Sequence, residues 1–473
     1  MKNSSIIEVI RTLDKKEWKE FAKWLDSSFF NQRQDVADLF QYLSVPRHLE
    51  DDKFLDKERI YRKLFPNEPF DDAKFRQTTH FLLKQLEQFL AFREIQEDTH
   101  AMDMALIKAL RKRKASSLFH RKFNTLQRTG LGNNQLLDGD GLHYRFVLLS
   151  EHYTHMLATN QAKNEHLQEA SLAFDLKFMA EKLKQACLEL SHNRVFKTNF
   201  EVQLIQEIVL AIHEKPAFLD YPAIAIYYYG YQIQQKGEGR DDDYFRLKEA
   251  IAHHESIFSA DEQTHIYRMI LNYCIERMNK GAAAFIREGF EIYKKGLSSG
   301  FLLQDGILAF ITFLNIGSAA IRLKEYDWVR SFVNTYTPYL EEQHRENGAQ
   351  YTLGKLAFEQ KRYDEAMNLL FRFDSKHLLL TLNARVMMVK IYYEQDEYDA
   401  LESLLESTKT YLKRKENIGY QKAVFENMIR LTRKLVRINP YDKSKREELR
   451  REIENTNPLT ERAWLLEQLD KMG

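Results

Sequence analysis

The residues in this chain most suited to chemistry are histidines at helical spacing. His152 and His155 stand three apart beside Glu151, within a stretch of helical periodicity. Two imidazoles so placed can chelate zinc once a third ligand completes the site. His143, the nearest candidate, lies nine residues upstream and would have to fold back, so the pattern reads as histidines on a solvated or interhelical face. His253 and His254 are adjacent, point to different sides of a helix and cannot share one metal. Asp138-Gly139-Asp140-Gly141 invites a calcium loop, which needs oxygen ligands at alternate positions and a glutamate at the twelfth. The fifth position here is Leu142 and the twelfth is Leu149, so a polar hinge is expected instead. Asp241–Asp243 read as a solvated acidic loop. Neither of the two cysteines, Cys187 and Cys274, has metal-ligand spacing, and buried free thiols in a reducing compartment are expected. No G-x-x-x-x-G-K-[ST], G-x-G-x-x-G or H-E-x-x-H pattern occurs, and no nucleophile is spaced with a base. A non-enzymatic protein without metal or cofactor is the expectation.

Composition narrows what must position these residues. The 473 residues include only 17 glycines and 8 prolines, so the chain has few places to turn sharply. That suits long helices joined by short loops, and a 44% apolar fraction supports a packed core. Lysine plus arginine (70) balance aspartate plus glutamate (69), which argues against a dedicated nucleic-acid binder. The start, MKNSSIIEVIRTLDKKEWKEF, shows no signal-peptide pattern. The most apolar stretches, 221–233 and 309–321, are interrupted by Gly, Pro, Asn or Ser and are too short for a bilayer core of about 30 Å. A cytoplasmic protein without membrane insertion is expected.

Apolar periodicity divides the chain into segments. Ile6, Val9, Ile10 and Leu13, then Trp18, Phe21, Ala22 and Leu25, repeat a helical pattern. Asp56 caps a helix ending near Phe65, and Asp71 or Asp72 caps a longer one over 73–95 with Phe75, Thr79, Leu82, Leu83, Leu86, Phe89 and Leu90 on its apolar face. A basic helix over about 100–128 follows, then a Gly-rich connector, TGLGNNQLLDGDGL. The expected layout is an N-terminal helical domain (1–98), the basic helix and connector (99–142), a helical-repeat array (143–438, clearest over 311–411) and capping helices (439–473). The final helix, about 459–472, carries Trp464, Leu465 and Leu469 as an apolar stripe.

The stretch 350–373, QYTLGKLAFEQKRYDEAMNLLFRF, resembles the tetratricopeptide repeat (TPR), a helix-turn-helix of 34 residues with W-x2-L-G-x2-Y followed by A-x3-F. Leu353-Gly354 stand at its L-G position, Ala357 three beyond, and Tyr363 with Ala366 at the start of helix B. Gly354 and Ala366 mark where two helices approach closely. Tyr326, Tyr363 and Tyr398 recur at intervals of 37 and 35, and Gly317 precedes Gly354 by 37. Earlier copies are weaker: 227–231 resembles a helix A, and 283–297 a helix B with Gly289 at the close contact. The layout is similar to a bacterial family of TPR-like proteins with no activity attached. The resemblance implies an all-α fold, a right-handed α-solenoid of TPR-like helical hairpins preceded by an N-terminal helical domain.

In TPR arrays helix A lines the concave face. Residues one and four beyond the glycine position would look inward: Lys355 and Phe358 in one repeat, Lys390 and Tyr393 in the next. Tyr351 and Val386 fall three before it, and Ile321 and Arg322 end the preceding helix A. Paired lysines beside aromatic rings suit an acidic peptide, because the ammonium supplies charge and the ring supplies contact area. The family's carboxylate clamp is not reproduced, since Leu314, Ser318, Thr352 and Met387 occupy several of its positions. The expected function is a protein- or peptide-binding scaffold of unassigned oligomeric state. The rival is a transcriptional regulator whose 57–94 hairpin meets DNA through Lys74, Arg76, Gln77 and Lys84, with Lys108, Arg111, Lys112, Arg113, Lys114, Arg121 and Lys122 nearby.

Overall fold

The computed structural model describes residues 1–2, 4–131, 137–161, 164–196, 198–235, 239–373, 377–414 and 420–472. Residues 132–136 of the expected connector and 236–238 of the loop before Asp241 lie outside them. The fold is all-α: 24 α-helices and one two-stranded antiparallel hairpin, β1 (Leu303–Gln304) with β2 (Ile307–Leu308), among the described residues. No helix among them is long and apolar enough to cross a membrane.

The chain divides into two compact units, Met1–Ala186 with Glu201–Tyr227, and Cys187–Phe200 with Tyr228–Gly473. The breaks expected near 98 and 142 both lie inside the first.

The first unit opens with α1 (Ser5–Ile10), α2 (Lys15–Asp26), α3 (Gln34–Leu43), α4 (Pro46–Glu50), α5 (Lys57–Leu64) and α6 (Asp72–Glu97). Asp14 starts α2 with a capping box: its carboxylate accepts from Lys16 N (2.6 Å) and Glu17 N (2.8 Å), while Glu17 accepts from Asp14 N (2.7 Å). Asp56 caps α5 and Asp71 caps α6. Along α6 the buried face runs Phe75, Thr78, Leu82, Leu86 and Phe89, so Thr78 takes the position expected of Thr79. It packs with Ile6, Phe21, Leu39 and Tyr61 into one core.

Where one basic helix was expected, there are two, α7 (Thr99–Lys112) and α8 (Ser116–Leu126). The physical reason is Lys114, held at φ 56° between them. The DGDG segment is not a hinge. Asp138 accepts from Gly141 N (2.7 Å) and starts α9 (Gly139–Ala158), with Gly139 and Gly141 buried. Helix α10 (Asn164–Phe196), α11 (Ile205–Glu214) and α12 (Pro222–Gln232) follow, α10 and α12 each running across the division between units.

The second unit holds α13 (Asp241–His254), α14 (Ala260–Asn279), α15 (Ala284–Ser299), α16 (Phe310–Arg322), α17 (Tyr326–Tyr336), α18 (Glu342–Glu359) and α19 (Tyr363–Arg372). It ends in α20 (Leu378–Glu394), α21 (Tyr398–Arg414), α22 (Tyr420–Arg437), α23 (Lys443–Asn455) and α24 (Arg462–Lys471). Asp241–Asp243 form the first turn of α13 rather than a loop, where negative charge meets the positive end of the helix dipole. Asp241 also accepts from Tyr273 (2.6 Å) and Arg277 (2.8 Å) of α14.

Each of α14, α16, α18 and α20 packs on the helix that follows it. Helix α16 also packs on α18, and α18 on α20. The turns inside these pairs share one geometry. Lys324 (φ 61°), Lys361 (φ 56°) and Asp396 (φ 61°) are left-handed, and the next residue donates back five positions: Glu325 N to Ala320 O (3.0 Å), Arg362 N to Ala357 O (2.9 Å), Glu397 N to Tyr392 O (2.9 Å). These are Schellman closures, which satisfy the last carbonyls of the first helix. The same closure recurs at Lys114, Asn160 and Gly281, with Ala115 N to Leu110 O (3.0 Å), Gln161 N to Met156 O (2.8 Å) and Ala282 N to Arg277 O (3.0 Å).

Candidate functional site

The expected groove residues sit on α16, α18 and α20, and the turn geometry above sets their register. Arg322 is exposed at the end of α16. Tyr351 is buried on α18, its ring 5.0 Å from Phe373, and burial pushes its hydroxyl up to about 12. One turn on, Lys355 donates from Nζ to Ser318 Oγ of α16 at 3.0 Å. Burial of that ammonium pulls Lys355 below the ordinary lysine value, against the opposing pull of Glu359 and Glu461, and Arg322 adds to the fall. Phe358 is half-buried.

On α20, Lys390 and Tyr393 occupy the corresponding places. Tyr393 is buried, and burial, then Tyr398 and Asp396, push its hydroxyl upward. Lys390 is not free for a ligand as its spacing had suggested. Its Nζ meets Glu461 Oε2 at 2.9 Å, with side-chain exposures of 15% and 33%. The ammonium also lies 5.1 Å from the Phe358 ring centre and 5.7 Å from that of Trp464. Trp464 of α24 stands edge-on to Tyr393 at 5.3 Å and donates from Nε1 to Glu394 Oε1 at 2.9 Å. Tyr363, at the start of α19, donates its hydroxyl to the other oxygen of Glu394. Lys355, Phe358, Lys390 and Tyr393 are thus drawn into one cluster, and Glu461, Trp464 and Glu394 complete it.

The repeat positions serve packing. A Cβ on Gly317 would stand 2.6 Å from Thr352 Cγ2 of α18, whereas one on Gly354 would meet Leu370 of α19 at 3.0 Å. The first glycine therefore spaces α16 from α18, and the second spaces the two helices of one pair. Ala357 and Ala366 are fully buried, Leu353 is half-buried, and Tyr398 is exposed with its hydroxyl on Asp396 (2.7 Å).

No protein-family model, curated protein or solved structure matches this chain.

The other candidates are held by local partners. His152 stacks on Phe123 at 3.9 Å and His155 on Phe119 at 4.1 Å, both buried between α8 and α9. Burial lowers the His155 pKa, and His120 and Arg111 lower it further. Among the described residues no three His, Cys, Asp or Glu side chains are grouped to hold a metal ion. Cys187 and Cys274 are both buried; burial pushes the Cys274 thiol up to about 12. In the 57–94 hairpin, Lys74 pairs with Glu68 (2.6 Å) and Arg76 with Asp72 (2.9 Å). The basic run is split between α7 and α8, where Arg111 pairs with Glu151 and Lys122 with Asp103 (2.6 Å).

The contribution of Glu461 and Glu394 is absent from the repeat signature, because each acts on a residue distant in the chain. The one available hint was an acid three residues before a tryptophan, Glu461-x-x-Trp464, at the start of the last helix.

Proposed function

We propose that this chain is a non-enzymatic scaffold that binds a protein or peptide through the concave face of a right-handed solenoid of TPR-like hairpins. The recurring Schellman turns and the packing of α16 on α18 and α18 on α20 support the solenoid. The observation that supports the binding mode is the gathering of cations and rings on α18 and α20 (Lys355, Phe358, Lys390 and Tyr393), with Lys390 held by Glu461 and Lys355 by Ser318. Such a face gains affinity by burying aromatic surface and sets register by charge. Cys187 and Cys274, both buried and outside any disulfide, suit the cytoplasm.

The test compares affinity capture from native cells with the tagged full chain and with its Arg322→Glu/Lys355→Gln variant, read by mass spectrometry. Partners of the groove should fall at least tenfold in recovery with the variant. Equal recovery of every partner would refute the reading.

A further inference from the structure

We infer that the groove lined by α18 and α20 is already filled by helix α24 of the same chain, and that its external partner is an acidic, tryptophan-bearing helical segment that takes the place of α24. This rests on the scaffold reading above and names the kind of partner that reading leaves open.

Four observations carry it. Besides packing on its neighbours α22 and α23, α24 makes polar contacts with α20 that reach back across 70 and 71 residues. They have the chemistry expected of a ligand here: a carboxylate on Lys390, an indole edge on Tyr393, and an indole N–H on Glu394. Glu461 stands at φ 55°, a left-handed conformation that a side chain disfavours, and although its carbonyl accepts from Leu465 N (3.0 Å) its carboxylate makes no capping bond to α24. Its carboxylate serves Lys390 instead, so contact with the groove, not the stability of its own helix, explains that residue. Finally, α24 has 10 residues, fewer than the roughly 12–15 a helix needs to persist alone in water. Tethering gives such a segment a high effective concentration, which closes the groove to weak ligands and admits those that match its chemistry.

The experiment uses the full chain with a specific protease site inserted between Thr456 and Asn457, and a fluorescent peptide reproducing residues 457–472. Before cutting, the peptide should bind at least tenfold more weakly than after, read by anisotropy. After cutting, peptides carrying Glu461→Lys or Trp464→Ala should bind at least tenfold more weakly than the parent, and Lys390→Glu in the chain should restore the Glu461→Lys peptide. A second arm leaves the apolar contacts of α24 in place: the uncut Glu461→Lys chain should bind the parent peptide at least tenfold more tightly than the uncut parent chain does.

Loss of helicity on cutting would make α24 a structural element alone and overturn the proposal. So would a folded, cut chain that takes up no peptide, or an uncut Glu461→Lys chain of unchanged affinity. A cellular partner lost with Arg322→Glu/Lys355→Gln but indifferent to the 457–472 peptide would leave the scaffold reading standing and overturn this one.

Discussion

At the scale of single residues, two glycines that look equivalent in the repeat have different neighbours. Adding a methyl at either one replaces glycine by alanine in a helix, which gains about 0.8–1 kcal/mol in propensity. At Gly317 that methyl would stand 2.6 Å from Cγ2 of Thr352, a β-branched side chain only 2% exposed. Overpacking of this kind costs about 1–3 kcal/mol, so after the propensity gain Gly317→Ala should lower stability by up to about 2 kcal/mol in thermal unfolding. Thr352→Ser removes Cγ2 and should recover part of the loss in a double-mutant cycle. At Gly354 the contacts are longer, 3.0 Å to Leu370 Cδ2 and 3.1 Å to its Cγ, so the neighbour must give by only a few tenths of an ångström and Gly354→Ala should fall within about 1 kcal/mol of zero. Equal losses at both sites would show that the glycines do the same work. The need for small residues at these positions was legible from the sequence, but their partners were not. Lys390 shows the same limit: its charge and spacing were plain, while Glu461, which neutralises it, lies 71 residues away.

At the scale of elements, helix type and most start signals were legible because aspartate caps at Asp56 and Asp71 announce themselves. The turns were harder to see. Sequence reading looks for glycine where a helix stops, yet the left-handed position is Lys at 114, 324 and 361, Asn at 160 and Asp at 396, with glycine only at 281 in this set. That is why 100–128 reads as one helix although it folds as a pair. Left-handed backbone costs a non-glycine residue about 1–2 kcal/mol, partly offset for glycine by its larger entropy in the unfolded chain. Lys361 is exposed, so Lys361→Gly should stabilise the protein by about 0.5–1 kcal/mol. Gly281→Lys should lose about as much, since a Cβ there meets nothing within 4 Å and only the backbone objects. The check is the unfolding midpoint of each variant at constant denaturant slope. If Lys361→Gly destabilises, the lysine side chain contributes more than its backbone strain costs.

At the scale of the whole molecule, stability is set by where distant contacts fall. Most helices of the second unit pack on the next one or two in sequence, a pattern that spreads stability along the chain and lets segments open separately. Helix α24 is the exception, packing on its neighbours α22 and α23 while also reaching back to α20. It buries Trp464, Leu465 and Leu469. Each such side chain is worth about 1.5–3 kcal/mol when fully buried, set against the ordering of a short helix whose N-cap residue, Glu461, is left-handed and makes no side-chain capping bond. Helix α20 is longer, packs on α18, α19 and α21, and buries Leu382, Val389 and Ile391 among others, so it is held more firmly than α24. Hydrogen exchange should show α24 amides opening faster than those of α20 and α21. Glu461→Lys puts a cation against Lys390 and should speed α24 further, while α16, α18 and the α1–α6 core keep their protection. The same substitution leaves the three apolar anchors untouched, so the change measures the loss of the Lys390 contact together with the like-charge repulsion that replaces it. Protection of α24 equal to that of α20 would mean that the last helix and the groove open only together. The partner proposed above would then meet the proposed groove closed, and its binding would have to be read on the exposed end near Arg322.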